Sequence, residues 1–561
     1  MEALKRNTFT IKELIYYAYF AIMLITKGFG FYEGQKVYTF ALAVSALLIV
    51  AKILSTKHDL YEWAVIILLC ALGVLIYLNS NEIGALIIIA TVVGIKDVPA
   101  KRLMAVGFAT WTFTFFVRIL TTLLHLNGDI FKVQDKFRLG FVIRWSLGQP
   151  HPNVLQISFI LFCAFVLYFT HFKGKKLYAL TVILFLGNLY IFLYSFSITG
   201  MMLAIIYLLL NLYLTDLRYR FFKDKALNKV EKGVLIAIFP LAAVFSIAGP
   251  LLFKGKLWDF FNKLFNTRFM ITKQFMSANP ITLFGTGYCN ELPLEYNNID
   301  CSYVYALMHY GVIFFVLMLA AFIVLVIYLI KKDKKTELAM TVAFGIAAIS
   351  EPFFVNPSFK NITWVFIGEL LYIGTAKLRK IKELPSFVIL KQGEQTTILP
   401  EDKIISYVKD LKLTYKKLPR VIFGVALMIG IIAACLFGTF KQMPKAYYMN
   451  RRNVQVIDKG FTMTPEEIAE VDGKVLEYTD SDTPMYRIDG MAVTMEFIRA
   501  IASLFVWGFV ISACLLGVIM KRLIRNESVT GLEDDEEAPE PEEETPGSED
   551  EETPEPGEEI I

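Results

Sequence analysis

At 561 residues, 56% hydrophobic, with a mean hydropathy of +0.53, the chain has more apolar surface than soluble domain cores of that length can hide. It shows no P-loop, no dinucleotide fingerprint and no Cys/His cluster at metal-ligand spacing, which argues against the common nucleotide- and metal-dependent classes. The net charge of +4 conceals two populations: segment 533–559 holds 16 acids and no base, leaving 36 acids against 56 bases elsewhere; such a cationic body suits anionic lipids or phosphates, although the ordinary basic bias of cytoplasmic loops accounts for much of the excess.

The first apolar block, near 14–31, has no small-residue cleavage site behind it and reads as a retained anchor. Counting it, about 14 predicted membrane spans follow from the bilayer-length criterion. They lie near 12–31, 37–54, 61–78, 83–96, 103–125, 153–171, 177–195, 199–215, 233–253, 303–330, 336–353, 361–377, 419–440 and 496–519, the fourth being short. Every second connection is basic (52–57, 96–102, 173–176, 218–232, 331–335 and 377–417), which places these and both termini in the cytoplasm. The long connections 126–152, 254–302 and 441–495 then face outward. The expected fold is an all-α polytopic membrane protein with large extracytoplasmic loops. Residues 1–380 form a twelve-helix domain and 381–417 a cytoplasmic linker. A two-helix hairpin, 418–525, carries the outer 441–495 segment, and 526–561 is an acidic, Pro-rich tail whose composition predicts disorder. No inverted repeat relates the halves, which weakens a transporter reading.

Candidate chemistry concentrates in the outer loops. Arg118 lies inside the fifth span, where an Arg is either functional or snorkels to the outer interface. Loop 126–152 holds Arg138 and then Arg144, Ser146, Gly148, His151 and Asn153, with Asn153 expected to cap the next helix. A helix N-terminus beside an Arg is a ready anion site; the bland alternative is an ordinary turn. Ser197 and Thr199 sit at the junction of two spans, where hydroxyls line a cavity or bond their own backbone. Loop 254–302 offers Arg268, the Gly285–Gly287 turn, Asp300 and Tyr303, or is simply a re-entrant amphipathic helix and a turn. Cys289 and Cys301 in the same loop are placed for a disulfide outside the cytoplasm, the alternative being two free thiols. Cys70, Cys163, Cys435 and Cys514 fall in apolar blocks as filler.

The order of these motifs resembles the O-antigen and capsular polysaccharide polymerases (Wzy-type), whose superfamily includes the O-antigen ligases. The resemblance rests on RxSxGxxHPN at 144–153, SxSxTG at 195–200, NTR at 266–268, FGTGY at 284–288, DCSY at 300–303 and Tyr310-Gly311, and covers about residues 1–380. It implies a GT-C-like, metal-independent glycosyltransferase with no cofactor, joining undecaprenyl-pyrophosphate-linked oligosaccharide repeat units into capsular or exopolysaccharide at the outer face of a bacterial plasma membrane. It also implies that Arg144 and Arg268 bind the pyrophosphate, with Arg138 as helper, and that Asp300 stands where the family has a catalytic His or Asp. Two positions depart from the family's pattern: Ile198 replaces an Arg, and Cys301 replaces an Asn. As the base for the acceptor hydroxyl, Asp300 and His151 are both candidates. Ser146, Asn153, Ser197, Thr199, Tyr303 and Arg118 complete the expected substrate-binding set. Expected partners are the lipid-linked glycan, the bilayer, and a chain-length regulator or other export protein, with no nucleic acid. The competing functions are glycan transfer to another acceptor, flipping of a lipid-linked oligosaccharide or other transport, and a membrane sensor or scaffold with the tail as its working part.

Overall fold

The computed structural model describes residues 9–127, 129, 131–136, 140–223, 226–265, 267–288, 299–356, 359–378, 384, 386–387, 419–441, 443, 446–450, 475–476 and 485–530. Its helices are α1 (Ile11–Gly28), α2 (Lys36–Ser55), α3 (Leu60–Ser80), α4 (Gly84–Gly94), α5 (Ala100–Leu123), α6 (Pro152–Thr170), α7 (Lys175–Ser195) and α8 (Ile198–Phe222). They continue with α9 (Lys229–Leu252), α10 (Gly255–Leu264), α11 (Arg268–Ala278), α12 (Ser302–His309), α13 (Gly311–Lys331), α14 (Lys335–Ala347), α15 (Trp364–Leu378), α16 (Pro419–Phe440) and α17 (Met491–Thr530). The chain is thus a mainly helical, polytopic membrane protein: among the described residues, 10 helices are long and apolar enough to cross a membrane. All the expected spans carry helix, but four fall short of that standard. The α1 helix bears Lys12, Glu13 and Lys27 in its 18 residues, and α4, α14 and α15 have 11, 13 and 15 residues. The expected span 303–330 is broken in two at Tyr310 and Gly311.

Two small sheets interrupt the helices. Strands β1 (Phe131–Lys136) and β2 (Gly140–Trp145) make an antiparallel hairpin inside the first long loop. In the third, β3 (Ala446–Asn450), β4 (Val475–Leu476) and β5 (Met485–Asp489) pair in the order β3-β5-β4. The chain divides into two units, one of Met1–Ile398 with Lys441–Ala502, the other of Leu399–Phe440 with Ser503–Ile561. The 441–495 segment, expected to belong with its flanking helices, therefore clusters with the first unit. Phe131, Val142, Ile143 and Phe196 pack there with Ala492 and Val493 from the start of α17, and Arg499 stacks 5.1 Å from the rings of Trp145 and Tyr194.

In the second unit, α16 meets the later part of α17, where Ser512 Oγ donates to Ala426 O at 3.4 Å. The expected linker 381–417 lies almost wholly outside the described residues; of the expected tail 526–561, residues 526–530 continue α17 as helix, and 531–561 lie outside the described residues.

Within the first unit, side-chain bonds define the two ends of the helix bundle. At one end Lys52 Nζ donates to Lys96 O at 2.7 Å, Lys96 pairs with Glu62, and Arg102 pairs with Glu13 at 3.2 Å. At the other, which carries the β1–β2 hairpin, Arg144 reaches Ser195, Arg268 reaches Glu351, and Tyr305 reaches Glu82. In the core between, aromatic tips find backbone acceptors, as buried Tyr and Trp usually do: Tyr310 OH donates to Val355 O at 2.8 Å and Trp364 Nε1 to Phe354 O at 3.0 Å.

Candidate functional site

The hairpin aims Arg144. Its register pairs Lys132 with Arg144, so Gln134 is the diagonal neighbour of Arg144 on the same face. Arg144 Nη1 donates to Gln134 Oε1 at 2.7 Å, Nε to Ser195 O at 2.8 Å, and Nη2 to Asn153 Oδ1. The guanidinium thus ties the hairpin to the end of α7 and the start of α6. Every one of these acceptors is neutral. Burial pulls its pKa down to about 10, opposed by Glu351 and assisted by Arg268, so it stays charged at neutral pH.

Ser195 presents its carbonyl because Phe196 turns left-handed (φ 43) and ends α7. The last carbonyls of a helix have no intrahelical partner and favour a cation. A buried polar chain fixes the junction: Ser195 Oγ donates to Gln156 Oε1 at 2.8 Å, Gln156 Nε2 to Asn188 Oδ1, and Asn188 Nδ2 to Met201 O at 3.2 Å. Ser197 is buried and its N–H donates to Ser195 Oγ, whereas Thr199 is half-buried in the first turn of α8.

Several expected ligand contacts are instead engaged in shaping the protein. Ser146 is fully buried and donates to Asp129 Oδ1 at 2.9 Å, as does Gly148 N, while Arg118 Nε donates to Gly148 O at 2.8 Å. Together they build the turn leading to α6. The cap of α6 is His151, not Asn153: Pro152 occupies the first helical position with no N–H to offer, and His151 Nδ1 accepts from Asn153 N at 3.0 Å. Tyr303 is a core residue, its OH donating to Gly345 O at 2.8 Å and its ring against Phe354. Cys301 is a buried free thiol facing Ala348 O at 3.6 Å, so the expected bridge to Cys289 is not formed; Cys289 and Arg138 lie outside the described residues.

Arg268 opens α11 after left-handed Thr267 (φ 68), beside a stack of Phe261, Phe265 and Phe269. Its Nη2 lies 3.1 Å from Asp300 Oδ2 and 3.2 Å from Glu351 Oε1, Nη1 donates to Phe265 O at 3.2 Å, and Nε is buried with no hydrogen-bond partner among the described residues. The Asp300 side chain is 39% exposed, that of Glu351 only 5%. Ser302 Oγ donates to Glu351 O at 2.5 Å, locking the two segments together. Burial raises the Glu351 carboxyl above its ordinary range, with Arg268 pulling it back, and Arg144 and Lys360 lie within electrostatic reach. Glu351 was not singled out in the sequence. Its signal was an acid at the end of an apolar block, just before Pro352.

The Gly285–Gly287 turn has a different task from the one expected. Thr286 N donates to Met308 O at 2.7 Å, His309 Nδ1 to Thr286 O at 2.8 Å, and Val312 N to Thr282 O at 3.0 Å. These bonds close the break between α12 and α13. Gly285 (φ +88) has room for no side chain, since a Cβ would lie 2.0 Å from His309 O.

The site therefore joins one buried Arg held by neutral oxygens to a second Arg flanked by two carboxylates. Such a set can hold an anion and exchange a proton next to it. No protein-family model, curated protein or solved structure matches the chain.

Proposed function

We propose that the chain is a glycosyltransferase that polymerises undecaprenyl-pyrophosphate-linked oligosaccharides at the outer face of a bacterial plasma membrane, with a GT-C-like arrangement and both termini cytoplasmic. One observation carries this reading. The two arginines assigned to pyrophosphate by the resemblance, far apart in sequence, come within electrostatic reach of each other beside a buried carboxylate.

The reaction asks little else of the protein. The acceptor hydroxyl attacks the anomeric carbon, the bond from that carbon to the pyrophosphate oxygen breaks, and the electron pair leaves on the pyrophosphate. Arg144, with no carboxylate among its bonded partners, and Arg268 stabilise that developing charge. The acceptor's proton goes to a carboxylate. Glu351, whose burial makes it the more basic of the usual acids, joins Asp300 as a candidate for that role. His151, capping α6 through Nδ1, is the weaker candidate.

The test is a deletion strain complemented with wild type, R144A, R268A, D300N and E351Q, with polymer length read on gels and membrane insertion checked by immunoblot. Loss of polymer in both Arg variants, with insertion intact, is the expected result. Polymer of wild-type length from R144A and R268A refutes the assignment. A strain that makes normal polymer without the protein removes the function itself.

A further inference from the structure

Between the short helical turn at Pro352–Phe354 and α15, the chain places Lys360. The residue is 4% exposed, and among the described residues no hydrogen bond or ion pair engages its ammonium, whose nearest aromatic face is Trp111, centred 6.0 Å away. The backbone on either side is fixed. Phe359 takes a left-handed φ of +56 and packs against Tyr19 and Phe20, and Asn361 donates to Phe354 O at 3.0 Å. Lys27, 8% exposed at the end of α1 and 4.0 Å from the ring centre of Tyr38, is close enough for the two ammonium charges to repel.

Of the carboxylates at this end, Glu33 faces Lys27 and Glu82 accepts from the hydroxyl of Tyr305. Lys27, Lys360, Arg144 and Arg268 supply the cations, while Asp300 and Glu351 both lie within ion-pair distance of the same Arg268. Arg144 has each of its three nitrogens on a neutral oxygen. Among the described residues Lys360 has no protein acceptor, which is costly for an ammonium so largely withdrawn from water.

We propose that Lys360, with Lys27 beside it, seats a phosphate or pyrophosphate anion at the hairpin end; what carries that anion rests on the functional reading above. Burial, then Lys27, push the Lys360 ammonium down to about 7, with Glu351 opposing. Glu351 in turn meets Arg268, Asp300 and Arg144, and Lys27 meets Glu33. An arriving anion favours the charged amine, so binding above neutral pH takes up a proton.

The full chain in phosphatidylcholine nanodiscs is titrated calorimetrically at pH 8 with inorganic pyrophosphate and, separately, farnesyl pyrophosphate, each in two buffers of different ionisation enthalpy. Wild type should take up close to one proton more per anion than K360R, whose guanidinium is charged throughout. K360R should bind within threefold of wild type, and K360M at least tenfold more weakly. Weakening confined to farnesyl pyrophosphate assigns the site to a lipid headgroup, and equal weakening to pyrophosphate from any source; both support the site. Wild-type binding by K360M, or no binding of either ligand to wild type at millimolar concentration, overturns it. If K360M is not monodisperse, the proton difference between wild type and K360R decides alone. Polymer formation is not read here. Lys360-dependent binding in a protein that makes no polymer keeps the site and discards the function; a working polymerase with Lys360-independent binding does the reverse.

Discussion

Replacing Arg268 with methionine keeps much of its volume and removes the cation at 3.2 Å from Glu351. Breaking a buried ion pair from one side typically costs about 3–5 kcal/mol, unless the stranded carboxyl takes up a proton. Glu351 is placed to do so, because burial already holds it above its ordinary value of 4.5 and Arg268 is the main force lowering it. The folded protein then keeps a proton that the unfolded chain has released. Stability from this group is fully present below the unfolded value and falls as pH rises, by about 1.4 kcal/mol per unit, until the folded carboxyl ionises. Without Arg268 that ionisation moves to higher pH, so the fall continues further than in wild type. The penalty of R268M should therefore be larger at pH 8 than at pH 6, by about 1 kcal/mol, since wild-type Glu351, pushed up to about 7, already keeps its proton over the lower half of that range. E351Q removes the titration, and R268M/E351Q should recover about 2 kcal/mol of the R268M penalty at pH 8, within the range of coupled neighbours. Chemical unfolding of the four proteins in nanodiscs at pH 6, 7 and 8 measures this. An R268M penalty equal at pH 6 and pH 8, or a double variant as unstable as the two single changes added, refutes the reasoning.

Other expectations follow from the same geometry. R144K should fail to restore polymer in cells, because an ammonium cannot span Ser195 O, Gln134 and Asn153 as the fork does, and the lost charged hydrogen bonds should cost about 2–4 kcal/mol in unfolding experiments. G285A should lower the yield of folded protein on detergent size exclusion, since its Cβ meets the backbone of His309 at 2.0 Å and its φ of +88 suits glycine; a wild-type yield counts against the turn as a structural clasp. V493D puts a carboxylate into the Phe131, Val142, Ile143 and Phe196 cluster, and limited proteolysis should then cut within 126–151 at least tenfold faster; an unchanged rate means the start of α17 does not hold the hairpin.

The helices were legible because a bilayer imposes one length and one polarity on every span, so apolar blocks announce them. The reading weakened where neighbouring protein replaces lipid. The α14 helix stops at Ala347, yet its apolar pattern runs on through Phe353 and Phe354, which are core residues of the following turn rather than lipid-facing ones. The span expected at 303–330 is broken at Gly311 because the 279–287 segment supplies acceptors for the freed N–H groups, a partnership between distant residues that local hydropathy does not encode. The β1–β2 hairpin was missed for a related reason: Phe131, Val142 and Ile143 are buried by Phe196 and by residues from the start of α17, hundreds of positions away.

In the site, Arg144 and Arg268 stood out because a cation in a motif-rich loop is visible as a single letter. Their partners were not, because partnership is a matter of geometry. Ser146 and Tyr303 have the side chains of ligand contacts, but each is engaged by an acceptor in its own fold, Asp129 and Gly345. Glu351 and Lys360 lie at the edges of apolar blocks, where charges are ordinarily read as interface anchors. Burial overturns that reading. A charge 4% exposed is not at an interface with water, so each must be neutralised, paired or held for a ligand. Glu351 is paired with Arg268, and its raised carboxyl shows that the pairing only partly offsets burial. Lys360 has Glu351 within electrostatic reach but not within bonding distance, and Glu351 is already bound to Arg268. A further anion would relieve the arrangement from both sides, engaging Lys360 directly and, by competing for Arg268, releasing Glu351 to take up a proton.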